Sequence, residues 1–100
     1  MNIEFTRDGD QLTAAVSGRI DTNTAPEAED QIFAQLNGVK ELILDFTNVE
    51  YISSAGLRVL LLLHKQMSEQ GDMKIRGLNE TVYEVLEITG FTDILNIEEN

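Results

Sequence analysis

The 100-residue chain contains no cysteine. This excludes a disulfide framework, a thiolate nucleophile and a thiolate metal site. A cytoplasmic location is the simplest expectation for such a chain. Histidine occurs once, as His64. A Ser-His-acid triad needs its members in mutual reach. On a helix, His64 would lie about 15 Å of rise beyond Ser54. The elbow G-x-S-x-G is missing as well, because Ile52 stands where its first glycine belongs. No G-x-x-x-x-G-K-S/T is present, so no nucleotide is held in P-loop fashion. One histidine without cysteine argues against a transition-metal site. Asp8-Gly9-Asp10 lacks the ladder of a calcium loop and reads as a turn. No catalytic set, metal or cofactor is expected.

Basic residues are scarce too: 7 against 18 acidic ones, a net charge of −11. That balance argues against nucleic acid and against anionic membrane surfaces. The longest apolar run, Val59 to Leu63, falls far short of the roughly 20 residues that span a bilayer. The N-terminus has neither the basic nor the apolar region of a signal peptide. Apolar residues make up 42% of the chain, enough for a modest core. The expectation is one domain over residues 1–100, acting as a monomer.

Ile3 and Phe5, then Leu12, Ala14 and Val16, alternate with polar residues around Gly9, the pattern of a β-hairpin. Thr24 followed by Glu27 reads as a capping box, with Pro26, the only proline, in the first turn. That helix carries Ala25, Ala28, Ile32 and Leu36 on one face and stops at Asn37-Gly38. Leu42-Ile43-Leu44 reads as a strand covered on both faces. A second helix runs from about Ser54 to Gln70, and a further strand from Met73 to Arg76. Asn79 caps a third helix ended by Gly90. Ile94 to Ile97 offers a last short strand. The alternation implies an α/β domain with a mixed sheet of four to five strands and about three helices. Asp21 and Asp45 follow predicted strands, where α/β ligand sites form. Without a base or metal they suggest a polar rim.

Ser53-Ser54-Ala55-Gly56 opens the second helix. One serine is explained as an N-cap. Two are not, and glycine in a first turn does not favour a helix. Small residues there would let another chain approach closely. A hydroxyl at a helix N-terminus is also well placed to receive a phosphate, because free N–H groups and the dipole stabilise the anion.

The stretch "LILDFTNVEYISSAGLRVL", residues 42–60, resembles the signature of STAS domains, the anti-sigma factor antagonists of bacteria. "SGRID", residues 17–21, and "GLNETVYEVLEITGFTDIL", residues 77–95, resemble flanking motifs of the same family. The resemblance implies the STAS fold and a phosphorylated serine two residues before Gly56, at Ser54. Ser53 is the alternative acceptor, since it replaces the aspartate common at that position. Arg19 departs from the family's usual acidic residue. The resemblance further implies partner switching. The unmodified chain would bind an anti-sigma factor that is also a serine kinase, and so free a sigma factor. Phosphorylation would break the complex, and a metal-dependent serine phosphatase would reset it. The alternative is a STAS subunit of a transport or stress-sensing complex acting as an adaptor.

Counting 100° per residue from Leu57 puts Val59, Leu60, Leu61, Leu63 and Met67 with it in one broad core arc, along with His64 as a core or boundary residue. Leu62 then falls on the polar side between Arg58 and Lys65. The expected partner surface is Asp21, Ser53, Ala55, Gly56, Arg58, Leu62 and Lys65.

Overall fold

The computed structural model describes residues 1–98. Its elements follow the expected order: β1 (Ile3–Asp8), β2 (Gln11–Ile20), α1 (Ala25–Phe33), β3 (Glu41–Ile52), α2 (Ser54–Gln70), β4 (Asp72–Arg76) and α3 (Glu80–Ile88). A 3-10 turn, Phe91–Asp93, comes after α3. The four strands form one mixed sheet in the order β1-β2-β3-β4. β1 and β2 are antiparallel, while β2–β3 and β3–β4 are parallel. Gly9, at φ 62°, supplies the left-handed residue of the hairpin turn.

Period-2 patterning drives one face of the sheet inward. Leu12, Ala14 and Val16 of β2 are buried beside Leu42 and Leu44 of β3 and Met73 and Ile75 of β4. Leu60, Leu63 and Met67 of α2 close over that layer, and Val82 and Leu86 of α3 join the same core. Each such side chain contributes roughly 1.5–3 kcal/mol on burial. Ile43 turns to the face opposite Leu42 and Leu44 and is buried as they are, so the strand is covered on both faces as expected. It is only 4% exposed and lies outside the core cluster, between its register neighbours Thr13 and Lys74.

Several expected boundaries move. Thr24 takes the N-cap position of α1, yet its side chain makes no capping bond. Its hydroxyl donates to the Arg19 carbonyl at 2.7 Å and accepts from the Asp21 N–H at 2.9 Å. Glu27 forms no capping box either; it meets the N-terminal ammonium at 2.6 Å and the Gln31 amide at 3.1 Å. α1 stops at Phe33 rather than near Asn37. There the Arg7 guanidinium donates to the Asn37 carbonyl at 3.1 Å, fixing the exit loop. β3 continues past the expected Leu42-Ile43-Leu44 through Asp45-Phe46-Thr47-Asn48 to Ile52, with register shifts against β2 that absorb the irregularity. The expected last strand reduces to one parallel bridge, Ile97 with Ile75. Asn79 caps α3 as expected, accepting from the Val82 N–H at 2.7 Å.

Asp45 anchors the β3 irregularity. Its Oδ1 accepts from the Thr47 hydroxyl at 2.6 Å and the Thr47 N–H at 3.0 Å, and its Oδ2 lies 3.5 Å from Arg76. Those contacts, the Thr47 hydroxyl first, hold the Asp45 carboxyl below its ordinary value. A carboxyl with a lowered folded pKa stabilises the fold above its unfolded pKa and stops doing so as pH falls through the folded pKa. Asp45→Asn should therefore cost up to about 1 kcal/mol at neutral pH, where the partly exposed carboxylate is ionised. The gap between wild type and variant should close as pH falls below the ordinary carboxylate range and the folded carboxyl takes up its proton. Urea unfolding at several pH values measures it; a gap that persists unchanged in acid would contradict the charge-based account.

Candidate functional site

β2 and β3 end side by side, pairing Ile20 with Ile52, and α2 starts two residues later. The Ser53 N–H donates to the Ile20 carbonyl at 2.8 Å, tying the helix start to both strand ends. Ser53 is the N-cap residue, but its side chain makes no cap bond, and its Oγ is buried without a hydrogen-bond partner. The cap expected of one serine is therefore not formed through its hydroxyl. Ser54, the first residue of α2, is exposed.

Gly56 serves a different purpose from the one its small size suggested. It is buried, and a Cβ there would lie 2.5 Å from Ile52 Cγ1 and 2.8 Å from Ile20 Cγ2. The glycine lets the helix start sit directly on the two strand ends, so it faces the interior and not an incoming chain. Ala55 is half-buried and does border open space. It lines a groove of about 260 Å³ between α1 and α2, with Thr22, Ala25, Glu29, Arg58 and Val59.

The helix phase also needs correction. Leu61, expected in the core, is 44% exposed, whereas Leu62, expected on the polar side, is half-buried. Leu57 is buried in the first turn, and an arc drawn wide enough to include it takes in Leu61 as well. The centre belongs at Leu60, Leu63 and Met67, all at 2% exposure or less. On that phase Ser54, Arg58, Leu61 and Lys65 fall within about 60° of one another on the outer side. All four are exposed. Setting the phase from the middle of the helix would have found Leu61.

Asp21 organises the turn that enters α1. Its Oδ1 accepts from the Asn23 N–H at 2.9 Å and the Thr24 N–H at 3.1 Å. These two bonds, Thr24's first, hold its carboxyl below the ordinary value. The carboxylate is thus partly committed to the loop. Arg19, opposite Tyr51 in the sheet register, stacks over that ring at 4.7 Å. Arg58 is 73% exposed and reaches Glu29 of α1 at 3.9 Å, a loose surface pair. His64 is half-buried, as a boundary residue. Among the described residues no group of three His, Cys, Asp or Glu side chains is placed to hold a metal. No helix of the described residues is long and apolar enough to cross a membrane.

The site is thus a glycine-seated helix start with an exposed hydroxyl, an outer stripe of two cations around a leucine, and a shallow groove beside it. Its geometry suits contact with another macromolecule better than chemistry on a small molecule. BtrV of Bordetella bronchiseptica is 39% identical over 88 residues, covering 86% of this chain and 76% of that protein. The anti-sigma-B factor antagonist of Listeria monocytogenes is 34% identical over 96 residues, covering 92% and 82%. Among solved structures, the anti-sigma factor antagonist SpoIIAA in its unphosphorylated form superposes with a TM-score of 0.82 at 14% identity, covering 99% of this chain and 90% of that one. Its phosphorylated form, from Bacillus, gives 0.73 at 13% identity, covering 99% and 93%. At such identities the structural likeness speaks for the fold. The STAS domain family matches residues 2–100, and the chain belongs to that family.

Proposed function

We propose that the chain is an anti-sigma factor antagonist that works by partner switching, with Ser54 as its phosphorylation site. Its relatives are regulatory binding proteins rather than enzymes, and it is of the same kind. Unmodified, it binds an anti-sigma factor that carries serine kinase activity, and a sigma factor is freed. The kinase transfers the γ-phosphoryl group of ATP to Ser54 Oγ: the new O–P bond replaces the bond to ADP, and the hydroxyl proton leaves to a base of the kinase. A metal-dependent phosphatase reverses the modification. The cycle runs in the cytoplasm. The partner surface is the outer stripe of α2, Arg58, Leu61 and Lys65, with Ala55 and the flank of Leu62 beside it and the Asp21 turn at its edge.

One observation carries the choice of acceptor: Ser54 is exposed while the Ser53 hydroxyl is buried. A kinase must reach the oxygen it phosphorylates. The positive end of the helix then stabilises the added charge of about −1.5 to −2. The existence of phosphorylated and unphosphorylated forms of SpoIIAA supports the reading. Mass spectrometry of the protein from its native host tests it. One phosphoserine is expected, mapping to Ser54 and abolished by Ser54→Ala but retained in Ser53→Ala. Modification of Ser53 alone, or no modified species under any growth condition, would refute it.

A further inference from the structure

We propose that Arg58 is the internal counter-ion of a phosphate on Ser54, given up to it by Glu29. The proposal rests on the reading of Ser54 as the acceptor. Ser54 and Arg58 stand at i and i+4 on the exposed side of α2, where side chains are neighbours. The anion lies N-terminal to the cation, the favourable order for such a pair. Arg58 is not otherwise committed: its contact with Glu29 is 3.9 Å long and its side chain is 73% exposed.

A phosphoserine outcompetes that carboxylate on two counts. It carries about twice the charge, and its three oxygens accept the paired N–H groups of a guanidinium. The other charged groups in reach do not alter the order. Asp30 lines the same groove on the α1 side and, like Glu29, offers one negative charge. Arg19 is stacked on Tyr51, and Lys65 lies about two turns further along α2.

The consequence is a switch with two effects from one event. The phosphate adds negative charge where the partner docks, and it also withdraws Arg58 from the stripe that offers cations to that partner. Removal of the Glu29 contact frees the α1 side of the groove at the same time.

The test needs no partner. Phosphoserine is installed at position 54 during translation, and its second ionisation is followed by phosphorus NMR. The phosphate in the wild-type background should titrate about 0.3 units lower than in Arg58→Gln. In a Glu29→Gln background the difference should widen, because the competitor is gone. Equal titration with Arg58 present or absent would overturn the pairing. A difference unaffected by Glu29→Gln would overturn the exchange. Because the phosphate is installed directly, either result stands apart from whether a cellular kinase modifies Ser54. That question is answered by the host-protein mass spectrum alone.

Discussion

Gly71→Ala is expected to destabilise this protein strongly. Gly71 ends α2, donating its N–H to the Met67 carbonyl at 2.7 Å. A Cβ at that position would lie 1.9 Å from the Lys40 carbonyl oxygen and 2.6 Å from its carbon. Both atoms are backbone, so no rotamer change can relieve the overlap. Backbone strain plays no part, since φ is 175°, an extended value open to any residue. The Asp72 N–H donates to the same Lys40 carbonyl at 2.9 Å, at the point where β3 and β4 begin to pair. Relief therefore requires the start of β4 to lift away from β3. Overpacking commonly costs about 1–3 kcal/mol and sometimes more; with immovable backbone on one side, a loss of about 3 kcal/mol or above is expected. For a domain of this size that lowers the melting temperature by roughly 12–24 °C. Gly9→Ala is the control. It meets nothing within 4 Å and strains only a left-handed turn, so it should cost about 1–2 kcal/mol. Thermal unfolding of both variants decides the matter: equal losses would mean that crowding at Lys40 is not what demands glycine at 71.

The second large effect is on binding. Leu61→Glu should lower affinity for the anti-sigma partner by about 30-fold or more while leaving the melting temperature within about 2 °C. Leu61 is the apolar centre of the exposed stripe, flanked by Arg58 and Lys65. In that setting an apolar side chain supplies area to be desolvated and the two cations orient an acidic partner. Leu62→Glu should behave differently. It would force a charge against the half-buried flank toward α1 and reduce stability before it reduces affinity. Pull-down from the native host followed by calorimetric titration reads both. Normal binding by a folded Leu61→Glu protein would move the interface off α2. Recovery of membrane transport components instead of a kinase would favour the adaptor reading.

The contrast between Leu61 and Leu62 shows how far the sequence could be read. The hairpin was legible because Asp8-Gly9-Asp10 needs a left-handed residue and the flanking alternation admits one register. The third helix was legible because Asn79 is a favoured N-cap: its Oδ1 accepts from Val82, while its amide donates to the Val49 carbonyl at 2.9 Å without competing for that role. Thr24 misled because its hydroxyl found stronger local partners in Arg19 and Asp21 than the helix could offer. β3 was longer than it looked, because Asp45 and Thr47 satisfy each other inside the strand. In α2, five consecutive apolar residues leave the phase ambiguous, and an arc wide enough to include Leu57 takes in Leu61 as well. The serine pair could be located but not resolved, since the burial of the Ser53 hydroxyl depends on how Gly56 seats the helix.

The order of the strands across the sheet is the order in which they are made. The β1–β2 ribbon needs only its own tight turn and can close in about 1–10 μs. β3 must then return across some thirty residues, as Leu12 meets Leu42, so its docking waits on the α1 connection. β4 follows in the same direction. No strand has to be threaded between two already paired, and each new strand finds its neighbour already synthesised. A chain emerging from the ribosome can therefore assemble this sheet by addition at one growing edge. The edge left open at each stage is covered by the next segment to emerge.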